Sequence, residues 1–119
     1  MTEEKIELSK STCKPCSGNE PAMPLPKAME LLQKLHEAWA INEAGHLERV
    51  FLVKNFVAAL DLANKFGDLA EKEGHHPDLT VSYGKLRVEM WTHKINGLSL
   101  SDFVLASKID DLAKIILVG

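Results

Sequence analysis

The chain has 119 residues, of which 45% are hydrophobic and 26% charged, and its formal net charge is −3. This length suits one domain, because each of two separate cores would bury too little apolar surface to offset its entropy cost. A net negative chain lacks the clustered Lys and Arg that bind nucleic acid, and no apolar run reaches the about 18 residues that a membrane span needs. With no signal-peptide pattern at the N-terminus, we expect a cytoplasmic protein that binds neither nucleic acid nor membrane.

Residues 1–24 mix charged residues, Ser and Gly with three of the five prolines, and they lack the spacing of a buried helix or strand. We expect a flexible N-terminal arm there and a single α+β domain over residues 25–119. The arm holds the only two cysteines, Cys13 and Cys16. One CxxC pair supplies two ligands, which is too few for a zinc site, so we expect reduced thiols without a role.

The sequence pattern of the first half of the domain predicts a helix, a hairpin and a second helix. Apolar residues at three- and four-residue steps predict a first helix from Pro26, with Ala28, Leu31, Leu32, Leu35 and Trp39 on one face. A turn signal at residues 43–45 precedes the β-branched and aromatic run of residues 50–53, which is typical of a hairpin. Asn55 can cap the second helix and Gly74 can end it. Its predicted buried stripe is Phe56, Ala59, Leu60, Ala63, Phe66 and Ala70.

The sequence pattern of the second half of the domain predicts another hairpin and a third helix. Apolar residues alternate before and after a turn at Gly84 and Lys85, at Leu79, Val81 and Tyr83 and then at Leu86, Val88 and Met90. Ser99 to Asp102 has the pattern of a capping box, followed by the stripe Leu105, Ile109, Leu112 and Ile116. The order α-β-β-α-β-β-α favours a four-stranded antiparallel sheet with three helices packed on one face. Its exposed strand edges favour a homodimer or homotetramer.

Three of the five histidines fall at predicted element ends, where loops gather functional groups. His75 follows Glu71 by one helical turn, so we expect these two side chains to hydrogen-bond. His76 precedes Pro77, which keeps the backbone extended, so adjacent imidazoles should point in different directions. His93 comes from the end of the last strand. These three form the candidate catalytic group, whereas His36 and His46 look incidental.

These residues resemble the signature of the pterin-4a-carbinolamine dehydratases. That signature is an acidic residue, three residues, His-His-Pro, then an aromatic residue, a His and an Asp at set spacings. Here Glu71 is followed by His75-His76-Pro77 and then by Tyr83, His93 and Asp102. The resemblance also covers the element order from about Pro26 to the end of the chain.

The resemblance implies loss of water from a 4a-hydroxytetrahydropterin to give a quinonoid dihydropterin, a step of tetrahydropterin recycling, with a small pterin as substrate. It assigns catalysis to His75, His76 and His93, with no metal and no cofactor. Imidazoles suit this work, because they donate and accept protons near neutral pH. The resemblance further implies a substrate-binding set of Glu71, Gly74, Pro77, Thr92, Lys94 and Asp102.

Several alternatives remain open at this point. Glu71, His75 and His93 could instead ligate a catalytic zinc ion, although no HExxH pattern occurs. Some relatives of this family serve as dimerisation cofactors of a transcription factor, so a protein-binding module of the same fold is a second candidate function. Asp102 has a purely structural explanation in the capping box. Tyr83 is interpreted as a packed strand aromatic, and Trp91 as either the core edge or a pocket wall.

Overall fold

A computed structural model describes Leu8 and residues 21–118. Both cysteines and most of the predicted arm lie outside the described residues. The predicted element order is confirmed, and the elements are α1 (Leu25–Leu32), β1 (Ala40–Ile41), β2 (Leu47–Leu52), α2 (Phe56–Glu73), β3 (Asp78–Ser82), β4 (Lys85–Met90) and α3 (Leu100–Val118), with a short 3₁₀ helix at His93–Ile95.

The four strands form one antiparallel sheet in the order β1-β2-β4-β3, so β2 and β4 lie at its centre. Side chains alternate across a strand, and one face of these two central strands is apolar and buried. Leu47 pairs with Met90 and Phe51 pairs with Leu86, and all four are at most 1% exposed. With the three helices packed on this face, the predicted α+β architecture is confirmed.

The first helix is shorter than its apolar pattern predicted, because it ends at Leu32 rather than near Trp39. Tight turns follow Leu32, and the Trp39 side chain is buried in the core although it lies outside the helix. Its indole Nε1 donates to Asp110 Oδ1 at 2.7 Å, and the backbone nitrogen of His36 donates to Asp110 Oδ2 at 3.1 Å. A tertiary contact with α3 therefore replaces the last predicted turns of α1.

The ends of α2 follow the prediction, but its buried face is rotated. Asn55 accepts from the Ala58 nitrogen as the N-cap, and Gly74 ends the helix with φ of 69°. The predicted stripe is wrong at Phe56 and Leu60, which are 45% and 41% exposed, and Leu62 is buried instead. The first turns of α2 thus present apolar side chains to the surface.

The turn between β3 and β4 leaves Tyr83 74% exposed, so the interpretation of Tyr83 as a packed strand aromatic is wrong. Gly84 beside it has φ of 78°, in the left-handed region that glycine adopts without steric cost. The Val53 nitrogen donates to the Gly84 carbonyl and joins this turn to the end of β2.

Two of the described residues before α1 contact the domain. Leu8 is 7% exposed and belongs to the core cluster. The Met23 nitrogen donates to the Leu98 carbonyl at 2.8 Å.

Among the residues described by the structure, none of the helices combines the length and apolarity of a bilayer crossing.

Candidate active site

All three candidate histidines line one cleft of about 460 Å³. It lies where the end of α2, the start of β3, the segment after β4 and the first turn of α3 meet. The lining residues are Gly74, His75, His76, Pro77, Asp78, Trp91, Thr92, His93, Lys94, Ser99 and Ser101. The fold therefore brings imidazoles from two remote stretches of the chain to the same space.

His75 is held by a buried carboxylate rather than by Glu71. Its Nε2 lies 2.6 Å from Asp102 Oδ1, and Asp102 is fully buried. Asp102 Oδ2 also accepts from Thr92 Oγ1 and from the Ser99 nitrogen, each at 2.9 Å. Because a carboxylate accepts, Nε2 carries the proton, and Nδ1 of the neutral ring is then an acceptor. Asp102 thus fixes both the orientation and the tautomer of His75.

Glu71 contacts the neighbouring histidine. Its Oε2 lies 2.6 Å from His76 Nε2, and the two side chains are 77% and 59% exposed. The predicted contact between Glu71 and His75 is wrong, because α2 ends in the left-handed residue Gly74 and helical spacing does not extend to His75. A pair this exposed contributes little to stability, so its effect is on the orientation of His76.

The N-terminus of α3 explains why Asp102 can serve the cleft. The Ser99 nitrogen donates to Asp102, which is half of the predicted capping box. The Ser99 hydroxyl pairs with Thr92 Oγ1 at 2.7 Å instead of capping an amide. One carboxylate therefore caps a helix and supports a histidine at the same time, so the structural and functional interpretations of Asp102 are compatible.

His93 lies beyond the last strand, which ends at Met90, and it begins the 3₁₀ helix. Thr92 and Gly97 pair across this turn, and Asn96 closes it with φ of 51°. The exposed imidazole of His93 stacks on the Trp91 indole, with ring centroids 4.3 Å apart. The turn therefore brings His93 to the side of the cleft formed by the segment after β4, whereas His75 and His76 come from the side formed by the end of α2.

The predicted substrate-binding residues divide into two groups. Gly74, Pro77, Thr92 and Lys94 line the cleft, whereas Glu71 and Asp102 lie behind His76 and His75. Asp78, Ser99 and Ser101 also line the cleft and were not predicted. The capping pattern at Ser99 was visible in the sequence, but nothing in it indicated which surface the helix start would face.

A polar network lies on the sheet face that none of the described helices covers, which we call the open face. Asn42 donates to both Glu48 and Glu89, Arg87 donates to both of these carboxylates, and His46 Nδ1 lies 2.8 Å from Glu89. Hydrogen bonds from Arg87 and then Asn42 lower the pKa of Glu48. Burial would raise the pKa of Glu89, but the bonds from Asn42 and His46 and the Arg87 charge outweigh it and lower this pKa. The network therefore favours ionised carboxylates.

Comparison with known proteins supports the resemblance seen in the sequence. The family model described as pterin 4 alpha carbinolamine dehydratase matches residues 22–112. The chain belongs to this family. A protein of Rickettsia canadensis is 48% identical over 87% of this chain and 94% of its own, and one of Methylococcus capsulatus is 45% identical over 92% and 96%. Both carry the name pterin-4-alpha-carbinolamine dehydratase as a provisional assignment.

A solved structure agrees with the fold. A protein from Brucella melitensis, described as a transcriptional coactivator/pterin dehydratase, superposes with a TM-score of 0.70. It is 27% identical, and the match covers 77% of this chain and 98% of the other. The segment matched by the pterin-4a-carbinolamine dehydratase family contains every residue that lines the cleft.

Proposed function

We propose that this protein is a hydro-lyase that removes water from a 4a-hydroxytetrahydropterin, such as 4a-hydroxytetrahydrobiopterin, and yields the quinonoid dihydropterin. The observation that carries the proposal is the cleft itself, where His75, His76 and His93 face one space and His75 is supported by a buried carboxylate. Membership of the dehydratase family supplies the substrate class.

The reaction needs two proton movements. A base takes the proton from N5, the C4a–O bond breaks, and an acid protonates the departing hydroxyl so that it leaves as water. Neutral imidazole is a base and imidazolium an acid in the same pH range, and each such transfer contributes about 10²- to 10⁴-fold in rate. His75, His76 and His93 would supply the base and the acid within one cleft, and no metal or cofactor enters the proposed chemistry.

The remaining cleft residues would bind the pterin. Gly74, Pro77, Thr92 and Lys94 supply wall surface and polar groups around the three imidazoles. Glu71 and Asp102 would act indirectly, because Glu71 orients His76 and Asp102 orients His75. The reaction's place in tetrahydropterin recycling, and the cytoplasm as its compartment, belong to the same proposal.

The test is a stopped-flow assay that follows dihydropterin formation from the 4a-hydroxytetrahydropterin. His76→Ala should lower turnover by about 100-fold or more, since it removes one proton carrier. His36→Ala is the matched control, because His36 lies near α1, outside the cleft lining, and should retain wild-type turnover. Wild-type protein that does not exceed the uncatalysed rate would refute the proposal.

The same assay across pH tests the acid and base roles. Because the mechanism needs one imidazole neutral and another protonated, kcat should fall on both sides of an optimum, as general acid–base catalysis by two groups requires. A flat profile from pH 5 to 9 would contradict acid/base catalysis by histidine.

We also propose that the protein is a homodimer or homotetramer. Among the described residues, strand β3 pairs with another strand on one side only, and Phe56, Val57 and Leu60 are 41–63% exposed on the first turns of α2. Pairing of subunits would cover both features. Light scattering should give a mass of two or four chains, and a monomer across micromolar concentrations would contradict this.

A protein-binding module of the same fold is the second candidate, and the description of the Brucella relative as a coactivator favours it. A pure binding module needs no set of three imidazoles in a cleft, so the cleft favours the enzyme. In the module interpretation, His76→Ala would leave the protein's function intact, whereas the enzyme would lose turnover with its fold unchanged.

A further inference from the structure

Three nearly parallel rings lie beside the cleft: His46, Trp91 and His93, which we call the Trp91 stack. The His46 and Trp91 ring centroids are 3.7 Å apart with planes at 6°, and the Trp91 and His93 centroids are 4.3 Å apart with planes at 8°. Rings at these separations are in face-to-face contact. The indole therefore contacts a histidine of the candidate active site and a histidine outside it.

The two imidazoles of the stack are held very differently. The His46 backbone nitrogen donates to Asn42 Oδ1 at 3.0 Å, and His46 Nδ1 lies 2.8 Å from Glu89, which Asn42 also contacts. In the part of the chain that the structure describes, the exposed His93 ring makes no side-chain hydrogen bond, and the Trp91 indole is the one aromatic ring that it stacks on. The orientation of His93 therefore depends on the indole.

We propose that His46 and Trp91 are positioning residues that set the plane of the His93 imidazole in the cleft. Glu89 and Asn42 anchor His46, His46 holds the indole in place, and the indole limits the rotation of His93. A proton carrier displaced by about 1 Å can cost as much as about 100-fold in rate, so restraint of an exposed imidazole has catalytic value. This inference rests on the proposed function, because it concerns the rate of that reaction.

His46 is the residue that separates positioning from substrate contact. Trp91 lines the cleft, so a defect caused by its replacement could come from lost contact with the pterin. His46 does not line the cleft, and the cleft residue that its ring contacts is Trp91, so a kinetic effect of its replacement is expected to act through Trp91 and His93. His46→Ala removes the flat ring, whereas His46→Phe keeps a ring that can stack.

The experiment measures kcat and KM for these two variants and for the control His36→Ala. His46→Ala should lower kcat about tenfold and leave KM within about twofold, because the loss is in the alignment of His93 rather than in pterin binding. His46→Phe should recover most of this loss, and His36→Ala should match the wild type. A His46→Ala variant with wild-type kcat, or a His46→Phe variant as slow as His46→Ala, would overturn the proposal.

A spectrum of the ligand-free protein tests the stack independently of turnover. Ring protons of His93 lie over the indole and are shielded by it, so their NMR resonances should shift in His46→Ala and not in His36→Ala. Unshifted His93 resonances in His46→Ala would overturn the proposal. If the wild type fails to dehydrate the pterin, the proposed function fails, and this spectrum alone decides whether His46 positions His93.

Discussion

Replacement of Asp110 by Ala should unfold the protein at markedly lower denaturant concentration. Asp110 is 8% exposed on α3, and its Oδ1 accepts from Arg49 Nη1 at 2.6 Å and from the Trp39 indole at 2.7 Å. Its Oδ2 accepts from the His36 nitrogen. Alanine would leave a guanidinium with a 13% exposed side chain without its counter-ion, and would leave the indole N–H without its acceptor.

The magnitude follows from the burial of the pair. Removal of one partner of a buried ion pair costs about 3–5 kcal/mol, because the other charge stays buried and uncompensated. Arg49 Nε has no hydrogen-bond partner in the described structure, and the Phe51 ring, whose centroid lies 4.1 Å from the guanidinium carbon, cannot replace the carboxylate as a counter-ion. Since Arg49 keeps a small exposed area, we expect about 3 kcal/mol, a large part of a total stability of roughly 5–15 kcal/mol.

Urea unfolding of Asp110→Ala is compared with that of Asp111→Ala, whose side chain is exposed on the next position of α3. The control should stay within about 0.5 kcal/mol of the wild type. Arg49→Met with Asp110→Ala should be more stable than the sum of the two single losses predicts, since no unpaired charge remains. Similar values for the two Asp variants, or strict additivity with Arg49→Met, would refute this reasoning.

Three further predictions concern the open sheet face, the support of the cleft and the end of α2. The pKa of Glu48 is lowered in the folded protein, so its contribution to stability is present above its ordinary pKa of 4.5 and is lost as pH falls through the folded value. Glu48→Gln should therefore reduce the loss of stability on acidification below pH 4.5 in urea titrations, and an unchanged slope would contradict this. Asp102→Asn should lower kcat about 10- to 100-fold with a native circular dichroism spectrum, because the buried acceptor loses its charge; wild-type kcat would argue against positioning. Gly74→Ala should cost about 1 kcal/mol at a φ of 69°, whereas Gly67→Ala within the same helix, where a Cβ meets nothing within 4 Å, should stabilise by about 0.5 kcal/mol. Shifts of the same sign would contradict this pair.

The fold was largely predictable because local signals agreed with the final packing. Asn55 begins α2 as its N-cap and Gly74 ends it in a left-handed conformation. In β4, Leu86, Val88 and Met90 keep the strict alternation of a half-buried strand. The errors arose where tertiary contacts override periodicity. Trp39 lies at a helical spacing from Leu35, but the chain leaves the helix before Trp39. The Trp39 indole instead donates a hydrogen bond to Asp110, 71 positions later in the sequence.

The site was predictable in composition and less so in its contacts. The spacing of the histidine motif identified the three imidazoles that line the cleft. Partners could not be assigned, because the left-handed turn at Gly74 rotates His75 away from Glu71 and toward Asp102. His46 looked incidental in the sequence, since no local pattern shows that the turn between β1 and β2 places its ring against Trp91.

The central claim is that imidazoles from both sides of the cleft act on one bound pterin. Its most direct test is a crystal structure of the complex with an unreactive dihydropterin. The heterocycle should lie in the cleft with an imidazole nitrogen of His75 or His76 and one of His93 within about 3.2 Å of its N5 and C4a substituents. A pterin bound outside the cleft, or touched by the histidines of only one side, would contradict the account.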